Sequence, residues 1–506
     1  AAYIEWGGDL GKRYFAENGK YPIGVGRFTL HDHKKYGWLT AEEAVLKSSN
    51  IAIYKMAKDV GAVRIHAMAQ RFGFGKKTGI DFSKIKITPK EAVGKNSGFD
   101  RFRLIDVAGQ PVYVLHPQIG PVITIGADDG KPLNLLTGET AGEVAEKFLG
   151  EPALRIYGPL NYDQWIVPNR YDPYRPFYRI SMLDKKDTVL YVSSRTGEVL
   201  QKTEGSERAW NYVGAVVHWI YPTVLRSNWA LWDQTVWCIS LFGVVTTLAG
   251  LWLGVVRFRE AQKTTRTHSP YKGWLRMHHI LGLFSGIFIF FWIFSGWLSM
   301  DHGRIFSQPN PNTRQIQSFS GKPMKQTVER ISVEALEALK QSNEVEVFSV
   351  GGKTYVMKSS TNGKKLYEPK GREVLSPTEF TELELINALK AAWPGVNIQS
   401  TQRPEKFDIY GQLRESSLPP NTLRIILSDP MQTWIHIDMD SGQIVSVMNR
   451  SRRLYRWLFN GLHSLDFPGL ANHRPLWDVL ILSMLAGGFF FSITGVVVGW
   501  KRLFNH

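Results

Sequence analysis

LWDQTVWCISLFGVVTTLAGLWLGVVR at 231–257 and LWDVLILSMLAGGFFFSITGVVVGWKR at 476–502 decide the fold. Laid one on the other, 245 positions apart and without a gap, they share Leu231-Trp232-Asp233 with Leu476-Trp477-Asp478. Gly243 falls on Gly488, Gly250 on Gly495, Gly254 on Gly499 and Arg257 on Arg502. Working outward, residues 187–257 recur at 432–502: Thr188 meets Thr433, Gly197 meets Gly442, Arg208 meets Arg453 and His218 meets His463. A repeat of this length implies two equivalent halves, each running from a small strand unit through a histidine-bearing segment into an apolar helix.

Residues 234–256, 280–300 and 479–500 carry no Asp, Glu, Lys or Arg. At 1.5 Å per helical residue each is long enough to cross a hydrocarbon core of about 30 Å. Arg257, Arg259, Lys263, Arg266, Lys272 and Arg276 lie between the first two runs against one acid, Glu260, and Lys501 and Arg502 follow the third. The opposite ends carry Asp233, Asp301 and Asp478, read as caps or charge markers. The positive-inside rule then predicts a cytoplasmic 257–276 loop and C-terminus, with 1–233 and 301–477 outside. The reading is that of a multi-pass membrane protein with the lipid bilayer as its first partner. Much of the clustered excess behind the net charge of +16 sits at these borders, so it reads as a topology signal and not as a nucleic-acid footprint. Cys238, the single cysteine, lies inside a span and reads as structural. No leader, span or Met precedes the outer segment 1–233, which predicts a truncated or replaced N-terminus.

The expected organisation is a mostly helical fragment at 1–82, then a first outer α+β module at 86–206. A His-bearing interfacial segment and transmembrane helix at 207–257 follow, then a basic loop at 258–276 and a second helix at 277–300. A second outer α+β module at 301–450 and a second His-bearing segment with helix at 451–502 complete the chain. Thr40 with Glu43 predicts a capping box opening a helix, and Thr88-Pro89 another helix start. Helices are expected at 140–149, 333–340 and 382–392, and strand pairs near 177–200 and 422–447. Each α+β unit is expected to stand as one module per half. The repeat also predicts a counterpart of the 280–300 span at 35–55, where Lys, Glu and Asn occur instead.

The strings Tyr162-Asp163-Gln164-Trp165, Tyr171-Asp172-Pro173-Tyr174-Arg175-Pro176, the stretch 190–199, His218-Trp219-Ile220-Tyr221-Pro222 and Met277-His278-His279-Ile280 carry a resemblance. Over 86–506 the chain resembles the PepSY-associated transmembrane family of iron-regulated inner-membrane proteins. The resemblance implies four spans with PepSY-type modules between them, of which this chain matches three. It also implies that some members bind two b-type haems through histidines and reduce ferric siderophores. Tyr36-Gly37-Trp38-Leu39-Thr40, Lys47-Ser48-Ser49-Asn50 and the stretch 71–81 make residues 1–82 similar to a fragment of a penicillin-binding transpeptidase. Ser48 and Asn50 would be that family's S-x-N pair. Its S-x-x-K nucleophile belongs upstream, where this chain has no serine, and Lys77-Thr78-Gly79 imitates its K-T-G strand in the wrong place. Without nucleophile and lysine the fragment is expected to be inactive.

Bis-histidine haem ligation requires two neutral imidazoles on rigid elements in an apolar pocket. The repeat supplies His218 and His463 for an outer haem b, each among aromatic residues such as Trp219, Tyr221, Trp457 and Phe467. His278 and His279 sit at the other membrane face, as ligands of an inner haem whose partner would lie on the fourth span. Arg208 and Arg453 read as lipid-phosphate anchors or, alternatively, as partners of haem propionates or an anionic siderophore. His302 and His473 lack repeat partners and read as capping or interface residues. The expected role is electron transfer to a periplasmic ferric siderophore from a donor the sequence does not identify. The alternatives are a non-catalytic, membrane-anchored PepSY binding or regulatory protein, and a cell-wall transpeptidase acting through 1–82.

Overall fold

A computed structural model describes residues 2–23, 28–71, 79–94, 96, 98–306, 311–371, 374–405, 408–413 and 416–504. The chain divides into two compact units, 1–78 and 79–506.

In the first unit two short antiparallel pairs, Arg13–Phe15 with Trp38–Thr40 and Lys20–Ile23 with Phe28–His31, accompany helices Ala41–Leu46, Asn50–Val60 and Ala62–Arg71. The Thr40 capping box forms: Glu43 N–H donates to Thr40 Oγ1 at 3.1 Å and Thr40 N–H to Glu43 Oε2 at 2.9 Å. Tyr14, Leu39, Ala44, Ile51 and Met56 make its small core. Residues 28–54, which stand 245 positions before the 273–299 helix of the second unit, fold here as strands and short helices.

The second unit opens with a three-stranded antiparallel meander: β1 (Phe99–Val107), β2 (Gln110–Pro117) and β3 (Ile123–Gly126). Helix α1 (Gly138–Leu149) follows, N-capped by Thr137 and closed by Gly150 in the left-handed conformation. Four antiparallel strands then form a sheet in the order β7-β6-β5-β4, with β4 Ala153–Leu160, β5 Phe177–Met182, β6 Val189–Ser193 and β7 Val199–Thr203. Helix α2 (Gly205–Asn211) leads to α3 (Trp229–Thr264), and α4 (Gly273–Ser299) returns. The second half continues with β8 (Glu344–Val350), β9 (Lys353–Ser360), β10 (Gly363–Lys370), β11 (Val374–Pro377) and α5 (Glu382–Ala392). A second four-stranded antiparallel sheet runs β12-β13-β14-β15: Ile398–Gln402, Thr422–Leu427, Trp434–Asp438 and Ile444–Met448. Helices α6 (Arg450–Arg456) and α7 (Leu476–Phe504) end the chain.

Helices α3, α4 and α7 are the three long enough and apolar enough to cross a membrane among the described residues. α4 packs against both others. A Cβ on Gly286 would lie 2.7 Å from Leu251 Cδ2, and one on Gly282 2.9 Å from Phe491 Cε2, so small residues permit the close approach. Asp233 does not cap α3: Asn228 does, its side chain accepting from Leu231 N–H at 3.1 Å. Asp233 instead lies within α3 and bonds His302 Nε2 at 2.6 Å, while the His302 ring stacks on Trp237.

The division at 86–206 and 301–450 is crossed by one sheet. β1 pairs with β8, making seven antiparallel strands in the order β11-β10-β9-β8-β1-β2-β3. Phe102, Leu104, Tyr113 and Leu115 of the first half share a single core with Val345, Val347, Val356 and Leu336 of the second. The reason is visible in β1, which is nearly continuously buried from Phe102 to Ile105, as a central strand covered on both faces must be. The register is telling. Phe102 pairs with Val347, a residue 245 positions on, and the ladder continues from it through Arg103–Glu346, Leu104–Val345 and Ile105–Glu344. Arg101 bonds Glu346, also 245 positions away, through Nε at 2.6 Å and Nη2 at 3.0 Å.

Candidate functional site

Each half sends its last strand into a short helix, α2 or α6, that widens into a π-helical turn at 212–217 or 457–461. His218 and His463 follow these turns. Two residues later the chain bends through Ile220 and Leu465, both at φ 51°. For a β-branched isoleucine that is a strained conformation, of the kind that surrounding structure must impose. Part of that structure is the indole at the head of each span. Trp232 Nε1 donates to the carbonyls of Trp219 and Ile220 at 3.3 and 3.1 Å, and Trp477 Nε1 to that of Ser464 at 3.1 Å.

Arg208 and Arg453 brace the same corner from the other side. Arg208 donates to the carbonyls of Asp187 and Thr203 at 2.8 and 3.3 Å and also meets the Asp187 carboxylate. Arg453 donates to the carbonyls of Gln432 and Met448 at 2.8 and 3.0 Å, with Trp434 4.3 Å from its guanidinium. Asp187 with Gln432, and Thr203 with Met448, are again 245 apart. Through these bonds each arginine ties its helix to the hairpin before it.

The two halves bring His218 and His463 together, with ring centroids 6.0 Å apart and planes inclined by 56°. His463 stacks on Phe459 at 5.1 Å, and its Nδ1 lies 2.9 Å from Ser295 Oγ of α4. Burial, and then the neighbouring His218, hold its imidazole below the ordinary histidine value. His218 is exposed, and no described side chain hydrogen-bonds its ring. An iron bonded at about 2 Å to one nitrogen of each ring would set the centroids about 6 Å apart. Among the described residues no group of three or more His, Cys, Asp or Glu gathers to hold a metal ion. Two imidazoles are the number a porphyrin iron leaves open, so the pair fits haem in ligand type, count and spacing.

The other two sequence candidates part company. His279 has both nitrogens committed, Nδ1 to Ser269 Oγ and Nε2 to the Gly254 carbonyl, each at 2.9 Å. His278 uses only Nδ1, 3.0 Å from Thr494 Oγ1, and stacks on Phe491 at 4.4 Å. It lines a cavity of about 490 Å³ among α3, α4 and α7, walled by Gly250, Gly254 and Gly282, with Arg257 and Arg502 at its rim. Seventeen helical residues separate His278 from Ser295, about 25 Å along α4, so the two positions lie at opposite ends of the spans. Sequence reading missed Ser295 and Thr494. Their signal is a fully or nearly buried hydroxyl inside an apolar helix, where such a group seeks a partner.

In the first unit Ser48 is exposed at φ 50°, while the neighbouring Ser49 is the buried one, donating to Asp32 Oδ2 at 2.6 Å. Asn50 Nδ2 donates to the His31 carbonyl at 2.8 Å. Residues 72–78, with Lys77 and Thr78, lie outside the described residues.

Three membrane-competent helices carrying a β-rich domain, with histidines at both ends of the helices, define a polytopic membrane protein. The chain belongs to the family of the PepSY-associated TM region, whose model matches residues 152–502. A penicillin binding protein transpeptidase domain matches residues 10–97, a stretch that spans the boundary between the two units.

Proposed function

We propose that this is an inner-membrane ferric-siderophore reductase dependent on haem b, built from two halves related by a pseudo-twofold axis through Phe102/Val347 and His218/His463. The observation that carries it is the imidazole pair 6.0 Å apart, one ring from each half. When bound, the haem supplies a one-electron ferric/ferrous couple. His218 and His463 would hold it at the outer face, with Phe459 and the interfacial aromatic residues excluding water. His278, with one nitrogen uncommitted, is the ligand candidate at the inner face, and His279 drops out of that role. The shared seven-stranded sheet and the two smaller sheets would present the docking surface for the periplasmic ferric chelate. The basic loop between α3 and α4 sets the inner side, with 1–233 and 301–477 outside and the C-terminus in the cytoplasm. The electron donor stays unassigned.

The test is an oxidised-minus-reduced absorption spectrum of the detergent-purified protein supplied with haem, beside His218→Ala and His463→Ala. A b-type spectrum lost in both variants supports the proposal and justifies assays with ferric siderophores. Haem retained by both variants, or none bound by the parent, would sink it and leave a membrane-anchored binding module.

A further inference from the structure

The hydroxyls beside His463 and His278 have little freedom. Ser295 Oγ lies 2.6 Å from the Phe291 carbonyl, 3.1 Å from that of Trp292 and 2.9 Å from His463 Nδ1. Its single proton goes to the short contact with a carbonyl, which can only accept. Toward His463 the oxygen therefore presents a lone pair, and Nδ1 must carry a hydrogen. Thr494 repeats the logic from another helix, donating to the Phe491 carbonyl at 2.7 Å and facing His278 Nδ1 at 3.0 Å. His279 is the internal contrast. Its Nε2 faces a carbonyl and must be the N–H, so its Nδ1 accepts from Ser269.

We propose that Ser295 and Thr494 are positioning residues that lock His463 and His278 as Nδ1–H tautomers, leaving each Nε2 lone pair free, while His279 is held in the opposite tautomer. Resting on the haem reading, the free Nε2 is the iron-facing nitrogen, and donation from Nδ1–H to the hydroxyl raises its basicity. The device is one-sided at the outer pair. The position 245 before Ser295 is residue 50, in the first unit, and no described side chain hydrogen-bonds His218. The two ligands are thus inequivalent: His463 is oriented from behind and His218 is not.

The full-length protein in bilayers, with ¹⁵N-imidazole-labelled histidine and no haem, tests the tautomers directly by solid-state NMR. His463 and His278 are assigned by the loss of their signals in His463→Ala and His278→Ala. The expected spectrum has both as neutral Nδ1–H, His463 shifting to mixed tautomers in Ser295→Ala and returning in Ser295→Thr. His463 found as Nε2–H in the parent, or unmoved by Ser295→Ala, would overturn the proposal. Haem titration of the same variants is the second arm: Ser295→Ala should weaken haem retention about ten- to hundredfold and move the midpoint potential, with Ser295→Thr restoring both. Unchanged retention and potential in Ser295→Ala would overturn the role in ligation. If the tautomers are as stated but the parent binds no haem, the haem reading fails and the hydroxyl lock stands.

Discussion

His436 gives the sharpest test of the second four-stranded sheet. It sits on β14, fully buried, opposite Arg424 on β13. Arg424 Nε donates to His436 Nε2 at 2.8 Å while its two Nη groups hold Asp408 at 2.8 and 2.6 Å. Burial, reinforced by Arg424, pushes the histidine down to about 3. The folded protein therefore keeps it neutral, whereas the unfolded chain takes up a proton below its ordinary value of about 6.5. Its stabilising contribution is complete above that value and is lost as pH falls toward 3. At about 1.4 kcal/mol per pH unit the loss between pH 8 and 5 is about 2 kcal/mol. His116 behaves alike: burial, then Arg103 and Arg101, push it down to about 4, adding about 2 kcal/mol at pH 5. The assay is denaturant unfolding followed by tryptophan fluorescence, with Trp434 stacked 4.6 Å from Arg424 as reporter. His436→Gln keeps an acceptor for Arg424 and removes the titration, so its loss between pH 8 and 5 should be about 2 kcal/mol smaller than the parent's. Other carboxylates titrate in both proteins and cancel in the comparison. Equal pH dependence in parent and variant would refute the reasoning.

Three further outcomes follow from the packing. Arg453→Met orphans two carbonyls and should cost about 2–3 kcal/mol in thermal or denaturant unfolding while leaving haem retention unchanged, whereas loss of haem without loss of stability would favour propionate pairing. Phe102→Ala, beside the junction of the shared sheet, should cost about 3–5 kcal/mol and raise protease sensitivity in the β-rich segments of both halves together. Gly286→Val, forced against Leu251, should cost about 1–3 kcal/mol and weaken helix association in detergent, read as a lower midpoint for loss of far-UV helicity.

The membrane helices were legible because an uncharged run long enough to span a bilayer has few other uses, and the structure's three long helices cover those runs. The Thr40 and Thr88 helix starts were legible because a capping box is local chemistry. Asp233 misled for a related reason: an acid beside the first apolar residues looks like a cap, yet Asn228 takes that place one turn earlier. The shared sheet was not legible. A strand's composition records how deeply it is buried and says little about which distant strand lies beside it. One clue existed, the opposite charges of Arg101 and Glu346 at the repeat distance. At the candidate site the repeat brought out His218 and His463, which the structure places side by side. It could not separate His278 from His279, because their difference lies in partners on other segments. The π-helical turns had no sequence signature at all.

The pairing of β1 with β8 also dictates an order of assembly. β1 is complete at residue 107, but its partner begins at 344, after α3 and α4 have both been made. At about 5–20 residues per second of synthesis, that is a wait of about 10–50 s. Throughout it, Phe102, Leu104 and Ile105 sit on an open strand edge that invites pairing with any other chain. The nascent first half therefore carries a strand edge prone to wrong pairing until the second half is made, and a chain stopped after α4 would leave that edge open for good.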